Sequence, residues 1–458
     1  MTERFHLGVD YGTSASKLVL RDFQAPGGEK AYVIFRKEDF RIPSAVGVTT
    51  SDLIFGCIPD ATRAEVRWLE SIKMRVAGGA KGQYEKYCFV PCPELPEGFS
   101  EQDLAILSVW FLLSLGHQAI AARESGHRFW RLTFGRSHAP AFRLSMTMGI
   151  PTSFFDDRQL RESFLHIARV AFQLYQQKPM EGERISRAQA RRNLDSAIAA
   201  VCSKPAIVDK DLRDWIRMEA EAALLWPFQS PAVPDGPYAK IDIGAGTTNA
   251  SIFRIVADPQ TAYQTRERIA FFGACSKPVG MDAIDRSILS AANLANQNPA
   301  SIRGEEQRLM ERSGIVSTLR PTLDEIHSAY SEAWRRALPK LSAPAEQSAW
   351  TDHSIFFIGG GSLVPAVTEY LRKSPLRGGC APHKCVDLQR PDDLYAKQNL
   401  RVSPADMAFL AVAHGLSNPR IAIPVADAPR EVPPMSHQPP TARKAKRWQD
   451  DQDAWRWD

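Results

Sequence analysis

The chain has 458 residues, 44% hydrophobic and 24% charged, with a formal net charge of +5. That length holds two or three domains with sizeable cores, and the composition excludes collagen-like, disulfide-dense and wholly disordered classes. The mild positive charge does not by itself argue for nucleic acid, and seven scattered cysteines, an odd number, suit a reducing compartment.

The opening residues, Met1 to His6, carry no signal-peptide pattern, and a cytoplasmic location is expected. An apolar strand ends at Val9-Asp10, a turn follows at Tyr11-Gly12-Thr13-Ser14, and a second apolar strand begins near Lys17-Leu-Val-Leu20. This reads as a hairpin with chemistry at its tip. Glycine lets backbone N–H groups approach a phosphate, the hydroxyls add donors, and the aspartate can hold a cation through its waters.

Strands and helices alternate as far as about residue 155, with helical periodicity predicted over 61–74. Residues 104–122 contain no charge, a span at the edge of the transmembrane range. Ser108, Ser114, Gly116, His117 and Gln118 interrupt it, and Ser100-Glu-Gln-Asp103 resembles a helix cap. A buried helix is expected there, with no membrane insertion, and its apolar excess marks a candidate partner surface.

Amphipathic helices are predicted over 156–173 and 186–202, and a short alanine-rich one over 218–226. The stretch 174–212 is basic, and Arg184, Arg187, Arg191 and Arg192 are expected to form a solvated face rather than a nucleic-acid contact.

The first turn's pattern returns at Ile241-Asp242-Ile243-Gly244-Ala245-Gly246-Thr247-Thr248, before the β-rich Ala250-Ser-Ile-Phe-Arg-Ile255. Neither turn has the spacing of a G-x-x-x-x-G-K-[ST] loop. The second begins like a dinucleotide fingerprint, but Asn249 holds the sixth position and a strand follows instead of a helix. One such turn alone reads as an ordinary glycine hairpin. Two matched turns point to a nucleotide clamp made of two related halves.

A third element supports it. Ser354-Ile-Phe-Phe-Ile-Gly359-Gly360-Gly361-Ser362 is a buried strand and triple-glycine turn, followed by an amphipathic helix with Pro365 in its first turn. Bare backbone there allows a flat base and ribose to lie close, and the helix start offers N–H groups. Cys380-x-x-His383-x-Cys385, alone or with Cys88 and Cys92, matches no zinc spacing, so loop or buried thiols are expected. A last helix is predicted over 404–415. From Pro419 the final forty residues hold seven prolines, a basic cluster and the acidic end with Trp448, Trp455 and Trp457, which reads as a disordered tail bearing a docking peptide.

These motifs, in this order, resemble the actin-like ATPase superfamily and, within it, the nucleotide-binding domain of the seventy-kilodalton heat-shock chaperones, the DnaK family. The resemblance covers residues 5 to about 418. Asp10 to Ser14 resembles the first phosphate motif, Asp242 to Thr248 the second, and Ile358 to Ser362 the adenosine motif. Echoes of the chaperone branch are Ile42-Pro43-Ser44 with Phe55-Gly56, Ser71-Ile-Lys73-Met-Arg75, Gly149-Ile-Pro151-Thr-Ser-Phe154, Glu219-Ala-Glu-Ala-Ala-Leu-Leu225 and Val279-Gly280-Met-Asp282.

The resemblance implies an α/β, actin-like ATPase fold, with two duplicated lobes of mixed sheet flanked by helices and a central nucleotide cleft. The lobes would span 1–237, with an insertion at about 174–212, and 238–418, before the tail 419–458. It further implies ATP or ADP with Mg2+. Asp10 and Asp242 would hold the cation through water. Thr13, Ser14, Thr247 and Thr248 would contact phosphates, Gly360, Gly361 and Ser362 would line the adenosine, and Gly12, Gly244, Gly246, Asn249, Gly280 and Gly359 would also bind the nucleotide. Lys73 would position the attacking water, and Glu219 would couple nucleotide state to lobe motion.

Four departures qualify this. Asn249 stands where the family often has an aspartate, so nucleotide binding with slow hydrolysis is expected. Ala245 replaces a usual glycine, and 174–212 is an insertion. The stretch 290–352 is short, leaving Glu305, Glu306 and Arg308 as candidates to clasp adenine. After 418 the family's β-rich substrate-binding domain is not expected, because residues 419–458 read as a tail. The expectation is therefore a partner-regulated, chaperone-like ATP switch that engages a protein through the tryptophans of the tail or the 174–212 insertion. An actin-like filament former, a small-molecule kinase and a catalytically weak ATP-binding scaffold are the alternatives.

Overall fold

A computed structural model describes residues 4–57, 65–82, 94–126, 144–205, 207, 209–229, 233, 236–257, 266–294, 302, 304–313, 316–340, 353–374, 376, 384–386, 388–396, 402–403, 405–419 and 425–426. The tail tryptophans lie outside these residues, as do Cys88, Cys92, Cys380 and His383. The protein is mixed α/β, and its two larger sheets repeat one plan.

In the first sheet, Phe5–Asp10 and Ala15–Asp22 form the expected hairpin, with Asp10 opposite Lys17. Lys30–Val33 adds antiparallel on one side, and Leu144–Ile150 then Ile216–Met218 add in parallel on the other. In the second sheet, Gly236–Ile243 and Thr248–Ala257 form a hairpin with Asp242 opposite Asn249. Arg266–Lys277 adds antiparallel, and Ser354–Ile358 then Lys384–Cys385 add in parallel. The outer edge repeats as well: Leu394–Tyr395 and Val425–Ala426 each pair in parallel with the third strand of their sheet. The segment 394–395, expected with the second half, thus completes the first sheet.

Each hairpin puts its aspartate on a defined face, because side chains alternate along a strand. Phe5, Leu7 and Val9 enter one core, leaving His6, Gly8 and Asp10 on the opposite face. Ala239, Ile241 and Ile243 enter a second core, leaving Lys240 and Asp242 opposite. A third core lies between the sheets and includes Ala222–Leu225 and much of the helix Met407–Leu416.

That helix and the helix Glu219–Gln229 pack on one another, and Met407–Leu416 also packs on the strands Phe5–Asp10 and Ala15–Asp22. The approach depends on missing side chains. A Cβ on Gly415 would overlap the carbonyl oxygen of Ala222, and one on Gly8 would overlap that of Ala413.

The uncharged stretch forms the helix Glu101–Gly126. Ser100 and Asp103 cap it reciprocally: the Asp103 N–H donates to Ser100 Oγ at 3.1 Å, and the Ser100 N–H to Asp103 Oδ2 at 2.9 Å. Among the described residues it is the one helix long and apolar enough to cross a membrane, yet 72% of its apolar window is buried inside the protein. It serves as a core helix, packed on Arg158–Gln177.

Two local expectations are corrected. Among the described residues of 61–74, which begin at 65, no helix precedes Ile72: Arg67–Leu69 is a strand paired with Val46–Val48, and the helix begins at Ile72. The sheet wins because Val66 and Trp68 cover bare Gly47, each about 3.0 Å from where its Cβ would be. The basic segment is only partly a solvated face. Arg184 and Arg192 are exposed, but Arg187 donates to the carbonyls of Thr50 and Glu97, and Arg191 to that of Gly98 and to Asp103. Charge runs report surface, not which loops the surface must hold.

His6 sits between Ser145 Oγ at 2.7 Å and Thr147 Oγ1 at 3.1 Å. Burial, with Arg217 adding to the effect, pushes its imidazole down to about 3. The unfolded chain, near the ordinary 6.5, binds more protons than the folded one between those values. Stability is therefore complete above about pH 6.5 and falls below it by up to about 1.4 kcal/mol per unit. His6→Asn is expected to flatten that slope in denaturation curves taken between about pH 7 and 5. An unchanged slope excludes His6 as its source.

Candidate functional site

The two aspartate-led turns meet at a cleft of about 280 Å³ between the sheets. Gly12, Thr13 and Ser14 line it from the first turn, and Gly244, Ala245 and Thr247 from the second. Asp10, Asp242, Lys73, Glu219, Asn249, Gly359 and Gly360 also face it.

Five expected ligand contacts shape the cleft instead of lining it. Thr248 is fully buried and donates its hydroxyl to the Val279 carbonyl at 2.7 Å. Gly246 is bare because a Cβ would stand 2.9 Å from Thr13 Cγ2, so the two turns touch there. Gly280 lies against the carbonyls of Gly244 and Ala245, which accept from the N–H groups of Met281 and Asp282 at 2.9 Å. That helix start braces the second turn. Gly361 packs under Ile243, and Ser362 Oγ donates to the Gly359 carbonyl at 2.7 Å.

The third turn is set against the second aspartate. Gly359 has φ 79°, and a Cβ there would lie 2.8 Å from Asp242 Oδ1. Only glycine accepts both constraints without strain. Its N–H donates to the Ala408 carbonyl at 2.8 Å, which joins the turn to the helix Met407–Leu416.

Electrostatics dominate the floor. Lys73 Nζ donates to Glu219 Oε1 at 2.5 Å, with both side chains buried and the two residues 146 positions apart in sequence. Lys17 Nζ donates to Asp10 Oδ2 at 3.1 Å. Lys240 Nζ stands 3.9 Å from Asp242 Oδ2, beyond hydrogen-bond reach. Burial raises the Glu219 carboxyl above its usual range, Asp10 and Asp242 push it further, and Lys73 opposes them. Asp242 is likewise raised by burial and by Asp10, against Lys240, Lys17 and Lys73. Burial lowers Lys240 below the usual lysine range, and Asp242 and Glu219 offset this only in part.

No family model matches this chain, and no curated protein does.

Several of those groups were not assigned roles by sequence motifs. Lys17 and Lys240 share a signal that was available, since each occupies a strand of a motif hairpin beside its aspartate. Arg41, Gln307 and Phe409 carried none. Of the adenine-clasp candidates, Glu306 lines the cleft and accepts from the Gly304 N–H at 2.6 Å. Glu305 and Arg308 instead pair with each other at 3.0 Å on the surface. Leu363, Val364 and Phe409 give the cleft an apolar stretch beside the triple-glycine turn, and Phe409 Cε1 lies 3.2 Å from where a Gly360 Cβ would be. The Arg41 guanidinium sits 5.7 Å from the Phe409 ring centroid.

Proposed function

We propose that this protein is a DnaK-like, actin-related ATP-binding protein, a slow magnesium-dependent ATPase that works as a partner-regulated switch. The observation that carries the reading is the meeting of two Asp-Gly-hydroxyl turns, from two sheets of repeated topology, around one buried Lys–Glu pair. Backbone N–H groups and hydroxyls of both turns suit a phosphate chain, and the apolar stretch by Phe409 suits a base.

The residues also suit a hydrated divalent cation. Among the described residues no group of three or more His, Cys, Asp or Glu could enclose a metal directly. Asp10 and Asp242 nevertheless face the cleft from both sides, and the Asp242 carboxylate accepts no hydrogen bond from the described residues. A magnesium ion keeps most of its waters, so carboxylates at this remove fit it. When bound it supplies positive charge against the phosphates.

The protein's own groups do the rest. Glu219 holds the Lys73 ammonium in place, so that it can orient a water near the terminal phosphate and balance charge that develops there. Asn249 Oδ1 accepts from Ser276 Oγ at 2.6 Å, and its amide cannot take a proton from that water. Slow turnover follows. Closure of the two halves would alter how the 174–212 segment or the tail meets a protein partner.

Calorimetric titration with ATP tests this reading: binding is expected with magnesium and is lost with EDTA or in Asp10→Ala. A wild-type protein that binds no ATP, or binds it regardless of magnesium, excludes it. Asn249→Asp keeps an acceptor for Ser276 and adds a base, so single-turnover hydrolysis is expected to speed up by about tenfold or more. Unchanged turnover removes Asn249 as the cause of slowness.

A further inference from the structure

We infer that Lys240 is a built-in cation beneath the cleft, which competes with the divalent ion for Asp242 and lowers the protein's demand for metal. The inference rests on the nucleotide-binding reading above and assigns one residue a role within it.

Lys240 is fully buried, and its ammonium has no hydrogen-bond partner among the described residues. Burying an ammonium without partners costs several kcal/mol or more, so a lysine persists in such a place only where opposite charge compensates it. Its nearest compensation is Asp242, at 3.9 Å, with Glu219 contributing from further off. Lys17 and Lys73 are already held by Asp10 and Glu219. Each carboxylate of the floor thus has its own lysine, and the one for Asp242 is Lys240.

The repeat between the two sheets sharpens the point. Lys240 precedes Asp242 by two residues on one strand face, and Gly8 holds the same place before Asp10. Gly8 admits the backbone of the helix Met407–Leu416 at Ala413. In the second sheet that position is filled by a charge. The two halves match in topology and differ in electrostatics beneath their aspartates.

Two consequences follow from Coulomb's law in a partly buried site. Without metal, Lys240 relieves repulsion among Asp10, Asp242 and Glu219, which favours a formed cleft. With a divalent ion beyond Asp242, the same charge repels it and weakens its hold.

The test is a metal titration on the full chain with a fluorescent ATP analogue bound, using Mg2+ and then Mn2+, which is also read by electron paramagnetic resonance. In Lys240→Met the metal concentration at half-saturation is expected to fall about tenfold, because a unit charge has left the neighbourhood of a divalent one. The metal-free variant is expected to melt earlier than wild type, and added metal to recover more of the loss than it gains for wild type. Lys240→Gln, which keeps length and a polar head, should shift the midpoint in the same direction and serves where the methionine variant does not fold. A lysine that only fills space would lower stability and leave the metal midpoint alone. ATP binding with an unshifted midpoint therefore overturns the role of Lys240 while sparing the nucleotide reading. Failure of the wild-type protein to bind the analogue overturns both.

Discussion

On the proposed ATPase reading, Lys73→Met is expected to reduce ATP turnover by about a hundredfold or more, the scale for losing one oriented charge at a phosphoryl or oxyanion site. It should also destabilise the fold by about 3 kcal/mol, the lower end of the range for breaking a buried ion pair. The low end applies because burial has already raised Glu219, so the orphaned carboxyl can take up a proton. The partner variant separates the two effects. Lys73→Met/Glu219→Gln leaves no buried charge behind and is expected to regain most of the stability but none of the turnover. Urea denaturation and single-turnover hydrolysis read the two quantities independently. Turnover restored in the double variant, or a Lys73→Met protein as stable as wild type, contradicts the role given to this pair.

Gly415→Ala is expected to cost about 3 kcal/mol or more, beyond the usual range for one added methyl, because the clash is with backbone. The new Cβ would overlap the Ala222 carbonyl oxygen and also stand 2.9 Å from Ala222 Cα. Neither can yield without parting the helices Glu219–Gln229 and Met407–Leu416. Those helices fill the core between the sheets, so their separation also opens the cleft lined by Ala408, Phe409 and Val412. Gly182→Ala is the control: Gly182 has φ 80° with nothing within 4 Å of a Cβ, so only backbone strain of about 1 kcal/mol applies. Equal losses in the two variants would falsify the packing explanation.

The far end of Met407–Leu416 is also anchored. Arg21 donates to the Ser417 carbonyl at 3.2 Å and to Asp393 at 2.7 Å, and Arg217 donates to the carbonyls of Asn418 and Pro419. Asp393, drawn down to about 2 by His414 and Arg21 against its burial, stays ionised to hold that end. The helix therefore runs from the cleft to a fixed socket on the first sheet. Its start meets the second sheet, where the Gly359 N–H donates to the Ala408 carbonyl at 2.8 Å.

Much of the site could be read from the residues themselves. Both aspartates, both hairpins and the triple-glycine turn follow from patterns a few residues long, where alternation and turn chemistry act locally. Alternation even places Lys240 and Asp242 on one face, although the sequence reads neither residue as the other's partner. The helices from residue 158 to 202 were likewise marked by their amphipathic periodicity, and the structure adds their caps, with Asp157 accepting from the Leu160 N–H and Ser186 from that of Gln189.

Other features depend on approaches between distant segments. Nothing near Lys73 shows that Glu219 lies 2.5 Å away, and nothing near Thr248 shows that its hydroxyl is spent on Val279. Glycines that line the cleft and glycines that only admit a neighbour look alike in sequence, and Gly360 and Gly361 differ only in what packs on them. Arg67–Leu69 became a strand because a sheet stood ready to pair with it. Local propensity is worth tenths of a kcal/mol per residue, and burial and pairing outweigh it wherever two segments meet. The sequence by itself thus determined the two matched turns and their aspartates. Contacts between distant segments, which no local rule encodes, decided the rest: the helices crossing at Gly415 pack between the sheets, and the neighbours of Gly246, Thr248, Gly280 and Gly361 set which turn residues reach the cleft.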